Sequence, residues 1–342
     1  MTTTAPAPST PDPGPATSGS DRATATASSS TTARLRRFAS DNGALLGLLV
    51  LCLALFIATP HFLTGPNLLN VGIQAAAIAV LAFGQTFVIV TAGIDLSVGS
   101  VAALSSMICC WMFVNTPLPG GIALVLGLAA GLLTGVVSGA AVAYGKLPAF
   151  IATLAMLSVA RGLTLVISDG RPIDTPGAVS FLGGSLGPIP VPILVLIVAG
   201  VVCAFILNRT VMGRSMYAVG GNEEAARLAG LPVKRVLVTV YGLSGLYAAL
   251  AGMLLAGRLN SANPQAASGY ELDAIAAVVI GGASLAGGSG RASGTLVGAL
   301  ILAVIRNGLN ILNVSSFWQQ VVIGLVIAAA VGIDVLRHRR GS

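Results

Sequence analysis

The sequence predicts an all-α polytopic membrane protein of about ten transmembrane helices, with N- and C-termini cytoplasmic. Three observations predict it. Only 8% of the 342 residues are charged and 55% are hydrophobic, against roughly 25% charged in a soluble domain. Such a chain lacks the residues to clothe a water-facing surface. The apolar residues also arrive in runs close to the ~20 residues that carry a helix across ~30 Å of hydrocarbon. Finally, lysine and arginine fall unevenly among the connections, the pattern that orients membrane helices.

Ten apolar segments are discernible, at 44–58, 68–92, 99–114, 121–143, 149–167, 190–207, 236–257, 272–288, 294–312 and 318–335. With the N-terminus inside, fourteen of the eighteen Lys and Arg residues lie in inside segments. Only Arg171 and Arg258 lie outside, and Arg161 and Arg306 fall within spans. The net charge of +7 is thus topology, which argues for membrane lipid and against nucleic acid as the surrounding partner.

Three regions follow along the chain. Residues 1–40 read as a disordered cytoplasmic tail: 1–33 contain no Leu, Ile, Val or aromatic residue and cannot bury enough to fold. The tail is no signal peptide, because the first apolar run begins only after Arg34, Arg36 and Arg37. Residues 41–336 form one transmembrane domain with an inside loop at 208–235, and 337–342 are a basic cytoplasmic C-tail. The four cysteines (Cys52, Cys109, Cys110, Cys203) lie in apolar spans without metal-ligand spacing and read as small buried hydrophobes. No metal or cofactor is expected.

The fourth span carries Gly127, Gly131, Gly135 and Gly139 at i, i+4 spacing. Four glycines in a row on one helix face form a smooth ridge for close packing of a second helix. A shorter pattern, Gly93-Ile94-Asp95-Leu96, is echoed by Gly269-Tyr270-Glu271-Leu272 ahead of another Ala/Val-rich span. On the predicted topology the two lie on opposite membrane faces, as an inverted repeat requires.

The inside loop contains Gly220-Gly221-Asn222-Glu223-Glu224-Ala225-Ala226-Arg227-Leu228-Ala229-Gly230-Leu231-Pro232. Asn222 suits an N-cap, and Glu223 and Glu224 sit where the helix dipole favours negative charge. Gly230 suits the C′ position, with Pro232 blocking continuation. These residues predict a helix of about two turns with a small apolar face of Ala225, Ala226, Leu228 and Ala229. By itself the pattern fits either a docking knob for another protein or a helix lying on lipid headgroups.

Gly281–Arg291 is glycine-rich but no phosphate-binding loop: Gly290 precedes Arg291-Ala292 where Gly-Lys-Ser/Thr is needed, and no strand leads in. A tight turn between packed helices is expected. Polar residues in or beside spans are the candidate translocation pathway: Gln85, Asp95, Ser97, Asn307 and Asn310. Each also has a structural reading, Asp95 as a helix cap and the amides as links between helices.

Several of these segments resemble the permeases of ribose-type ABC importers, over about residues 40–336. The resemblance is carried by Thr91-Ala92-Gly93-Ile94-Asp95-Leu96-Ser97-Val98-Gly99-Ser100, Ala149–Leu154, Tyr217–Glu223, Gly269–Gly282, Ser284–Gly288 and Asn307–Asn310. Glu224-Ala225-Ala226-x-x-x-Gly230 also matches the front of the loop by which importer permeases engage their ATPase. The Ile-x-Leu-Pro that follows in that pattern is absent, Val240-Tyr241-Gly242-Leu243 standing in its place. The resemblance implies an ABC ATPase subunit on another chain, an extracytoplasmic solute-binding protein and a second permease copy, as a homodimer. It implies a monosaccharide cargo, a ribose-like pentose or related sugar, and assigns Asn222–Gly230 to ATPase coupling. It also implies a multi-pass protein of the bacterial plasma membrane without an ATPase site of its own.

A passive channel or secondary transporter for a small polar solute is the competing expectation. A proton-coupled carrier usually places a carboxylate or histidine near the midplane. Here Asp95, Asp273 and Asp334 all fall near span ends, which counts against it.

Overall fold

The computed structural model describes Thr2 and residues 43–339. The chain divides into two units, Met1–Gly43 and Ala44–Ser342. Of the first only Thr2 and Gly43 are described, so the tail expected over 1–40 lies outside the described residues, as do 340–342 of the C-tail.

The second unit is a helical bundle. In chain order its helices are α1 (Gly43–Ala58), α2 (Gly65–Val90), α3 (Val98–Asn115), α4 (Gly120–Ala143), α5 (Ala149–Ser168), α6 (Gly177–Gly183) and α7 (Val191–Arg209). They continue with α8 (Val211–Gly221), α9 (Glu223–Leu228), α10 (Val233–Leu259), α11 (Tyr270–Ile280), α12 (Ala292–Ile311) and α13 (Ser316–Arg339). Two small antiparallel ladders decorate one end: β1 (Ile173–Asp174) pairs with β4 (Ser261–Ala262), and β2 (Ser185–Leu186) with β3 (Ile189–Pro190).

Among the described residues seven helices are long and apolar enough to cross a bilayer: α2, α3, α4, α5, α7, α10 and α12. Three of the ten expected spans take another form. The first is a 16-residue helix, α1, loosely held: Leu55 is buried on α12 at Gly308, while Val50 and Ile57 face outward. The last is longer than expected, running to Arg339, with an apolar portion over Ser316–Ala329.

The largest departure is at 272–288. The helix there, α11, has only 11 residues. Glycine destabilises a helix interior by about 1 kcal/mol, and here Gly281, Gly282, Gly287 and Gly288 follow in close order. Gly282, Gly287 and Gly288 take φ of +90°, +88° and +71°. The loop so formed packs against the end of α2, where Gly288 N donates to Val90 O at 3.0 Å. It is a turn between packed helices, as its sequence suggested.

Helix α10 is the central post, packed against α2, α3, α4 and α6. Most of α2 is also enclosed, whereas few residues of α4 and α5 are fully buried. The glycine ridge of α4 meets α10: a Cβ on Gly131 would stand 2.6 Å from Gly245 O, and one on Gly139 2.8 Å from Val238 Cα. Gly127 faces Met253, and Gly135 faces the Tyr241 carbonyl. Glycine on α10 answers it, since a side chain on Gly245 would strike the backbone of Gly131 and Gly135.

Candidate functional site

The end of the bundle bearing α8 and α9 is built by caps. Thr210 Oγ1 accepts from Gly213 N (3.0 Å) to start α8. Asn222 Oδ1 accepts from Ala225 N (2.9 Å) to start α9, with Glu223 and Glu224 in its first turn. Gly230 (φ +82°) ends it: Leu231 N bonds Ala226 O and Gly230 N bonds Arg227 O, the pairing of a Schellman motif. The helix has six residues, fewer than the two turns expected. Glu224 and Arg227 form an ion pair at 2.6 Å, and the carboxylate holds the guanidinium above its ordinary pKa. Both side chains are mostly exposed, so solvent screens the pair and it adds little to stability. The expected apolar face is smaller than predicted because Ala226 turns into the core, leaving Ala225, Leu228 and Ala229 exposed.

Midway along the bundle, Gln85, Asp95 and Ser97 come together. Asp95 Oδ1 accepts from Ser97 N (2.9 Å) and Ser97 Oγ (2.6 Å), while Oδ2 accepts from Ser244 Oγ (2.8 Å). Gln85, with its amide oriented to match, donates to Asp95 O (3.2 Å) and accepts from Asp95 N (3.1 Å). All three residues are fully buried. Asp95 therefore lies close to mid-depth, opposite Ser244 in the middle stretch of α10. The expectation that it sits at a span end is corrected. Residues 91–97 turn at the end of α2 and lead into α3 as non-helical chain, so a position at the start of an apolar run lies deep in the bundle.

Asn307 pairs with Asn67 through reciprocal amide bonds of 3.0 and 2.8 Å, linking α12 to α2. Asn310, one turn on, is exposed. The structure thus separates Asn307 and Asn310 from the Asp95 group.

A second polar group was not among the expected site residues. Arg161 of α5 donates from Nη1 to Pro264 O (2.6 Å) and Ala266 O (3.1 Å), holding the chain that leads into α11. Two backbone carbonyls therefore fix the Arg161 guanidinium. At the start of α11, Glu271 lies against Gly99 at the start of α3, so the two helices named by the sequence echo begin side by side. Asp273 pairs with Arg306 of α12, whose guanidinium also stands 5.6 Å from the Tyr270 ring centre. The signal in the sequence was the presence of two arginines inside apolar spans. Among the described residues no cluster of three or more His, Cys, Asp or Glu could hold a metal ion.

Residues 67–331 match the family described as branched-chain amino acid transport system / permease component. The chain belongs to that permease family. The permease is 49% identical over 296 residues to the ribose import permease protein of Bacillus subtilis (strain 168), covering 85% of this chain and 92% of the relative. It is 45% identical over 304 residues to the ribose import permease protein of Escherichia coli (strain K12), covering 86% and 93%. It is 38% identical over 303 residues to the L-arabinose transport system permease protein of the same strain, covering 86% and 91%. No solved structure gives a match. The permease is a multi-pass plasma-membrane protein, and as a permease component it carries solute rather than catalyses a reaction.

Proposed function

We propose that this permease is the membrane subunit of an ABC importer for ribose or a closely related sugar. The observation that carries the reading is the similarity of 45–49% to ribose permeases along nearly their whole length. Similarity to the arabinose permease is lower, at 38%. The family's description names amino-acid transport, so leucine is the informative competitor.

In this reading the chain crosses the bilayer ten times with both termini cytoplasmic. Two crossings are broken: 91–115 enters as a turn and non-helical chain before α3, and 260–280 enters as β4 and loop before α11. Residues 1–40 and 337–342 remain cytoplasmic tails on a transmembrane domain of 41–336. The basic α8–α9 end, with Arg209, Arg214, Lys234 and Arg235 around it, faces the cytoplasm.

There Asn222, Glu223, Glu224, Ala225, Ala226 and Gly230 form the coupling element for the separate ABC ATPase subunit. The capped helix presents Leu228 and a carboxylate on a rigid knob, suited to a complementary pocket. ATP-driven movement of that knob tilts α10 and the helices packed on it, reorienting the pathway. A solute-binding protein delivers sugar at the opposite end, a second permease copy completes the pathway, and lipid covers the exposed aliphatic faces.

The deep position of Asp95 lends weight to a proton-coupled carrier as the second reading. Against it, both carboxylate oxygens already have partners inside the bundle. Proteoliposomes decide between them. Ribose uptake is expected only when the ATPase, ATP and the binding protein are present. Ribose entry through the permease alone defeats the importer reading, and ATP-dependent uptake of leucine in place of ribose defeats the sugar assignment.

A further inference from the structure

Charged groups inside a bilayer must face protein or water. Arg161 lies seven residues before the end of α5 and Arg306 five before the end of α12, about 10 and 7 Å in from those ends at ~1.5 Å per residue. Glu271 lies deeper. Its carboxylate neighbours Gly99, and Ala102, one turn on in α3, meets Gly252 of α10, still seven residues from Leu259.

None of these three side chains is sealed in the core. Arg161 and Glu271 are half-buried, and Arg306 remains 30% exposed beside a buried Asp273. Ser158, Ser268, Leu272 and Asn310 are exposed around them. By contrast, the exposed face of α7 at Val198, Val201, Val202 and Phe205 is wholly apolar.

We infer that the face formed by α5, the start of α11 and the end of α12 lines the hydrated translocation pathway, with Tyr270, Glu271 and Arg306 as its contact site for a polyhydroxyl solute. The chemistry is suited to a neutral sugar. Glu271 accepts hydrogen bonds from hydroxyls, Arg306 donates them, and the half-buried Tyr270 ring offers a flat apolar surface to the C–H face of a sugar ring. Arg306 Nε is a buried donor without a protein partner, a costly condition where nothing answers it. Of the residues expected to border the pathway, Asn310 lies on this face. Gln85, Asp95, Ser97 and Asn307 are engaged in internal hydrogen bonds.

The inference rests on the transport reading above, and its test separates the two. In the importer complex carrying Cys52→Ser, single cysteines are placed at Ser268, Leu272 and Asn310, with Val201→Cys as the lipid-facing control. A membrane-impermeant thiol reagent is expected to label the first three at least about tenfold faster than the control, and D-ribose to slow that labelling. Failure to label all three in every nucleotide state overturns the pathway assignment. With D-ribose as the transported probe, Glu271→Gln and Tyr270→Ala are each expected to raise the half-saturating concentration or lower the rate about tenfold, a loss of 1.4 kcal/mol. ATP hydrolysis stimulated by the binding protein should persist in both. Unchanged uptake by both variants overturns the contact site. Labelling of the three cysteine variants together with a wild type that moves no ribose supports the hydrated face and removes the sugar assignment instead.

Discussion

The Asp95 carboxylate accepts a hydrogen bond from the Ser244 hydroxyl at 2.8 Å, across 149 positions of sequence. It ties the non-helical entry to α3 to the middle of α10, the helix that begins beside α9. Movement at α9 and packing around the start of α3 are therefore linked through one post.

Replacing Ser244 by Ala removes one of three donors to Asp95 and leaves a buried carboxylate oxygen without its partner. The expected cost is about 1–3 kcal/mol, read as a lower unfolding temperature of the detergent-solubilised protein. Asp95→Leu, which strands Ser97 and Ser244 together, should cost more. Equal melting of Ser244→Ala and wild type contradicts the role given to this bond.

The glycine ridge should be intolerant of any side chain. Gly131→Val and Gly135→Val are expected to cost about 1–3 kcal/mol or more through overpacking, because the atoms they strike include the α10 backbone at Gly245, Tyr241 and Gly242. Gly162→Ala on α5 is the matched control, since nothing lies within 4 Å of its added Cβ. Folded yield by size-exclusion chromatography should fall for the first two and hold for the third.

At the coupling element, Glu224→Arg should leave the protein inserted but lower ATP-dependent uptake by an order of magnitude or more. Gly230→Ile adds backbone strain of roughly 1–2 kcal/mol at a left-handed position and should do the same. Membrane insertion is followed by immunoblot of washed membranes. Normal uptake by both variants argues that α9 lies on lipid rather than on an ATPase.

The Arg306–Asp273 pair offers a test by double substitution. Asp273→Ala leaves the partly exposed Arg306 without its partner and should cost about 1–3 kcal/mol, water offsetting the rest. Arg306→Met with Asp273→Leu removes both charges and should recover most of the melting temperature. Ribose uptake should not recover with it, since Arg306 also faces the pathway.

The sequence by itself determined the membrane embedding, the family and the caps of α9, because these depend on run length, local spacing and neighbouring residues. Asn222, Gly230 and the ridge from Gly127 to Gly139 act within one helix or one turn, and their roles could be read from spacing. Only the tertiary structure decided depth and facing. Nothing in the order Thr91–Ser97 says that the chain returns into the bundle without helical structure, so only packing places Asp95 opposite Ser244. Nothing on α12 distinguishes Asn307 from Asn310 or Arg306 except the neighbour each one meets. One turns to Asn67 inside the bundle and the others to its polar face, a distinction set by packing of segments distant in the chain.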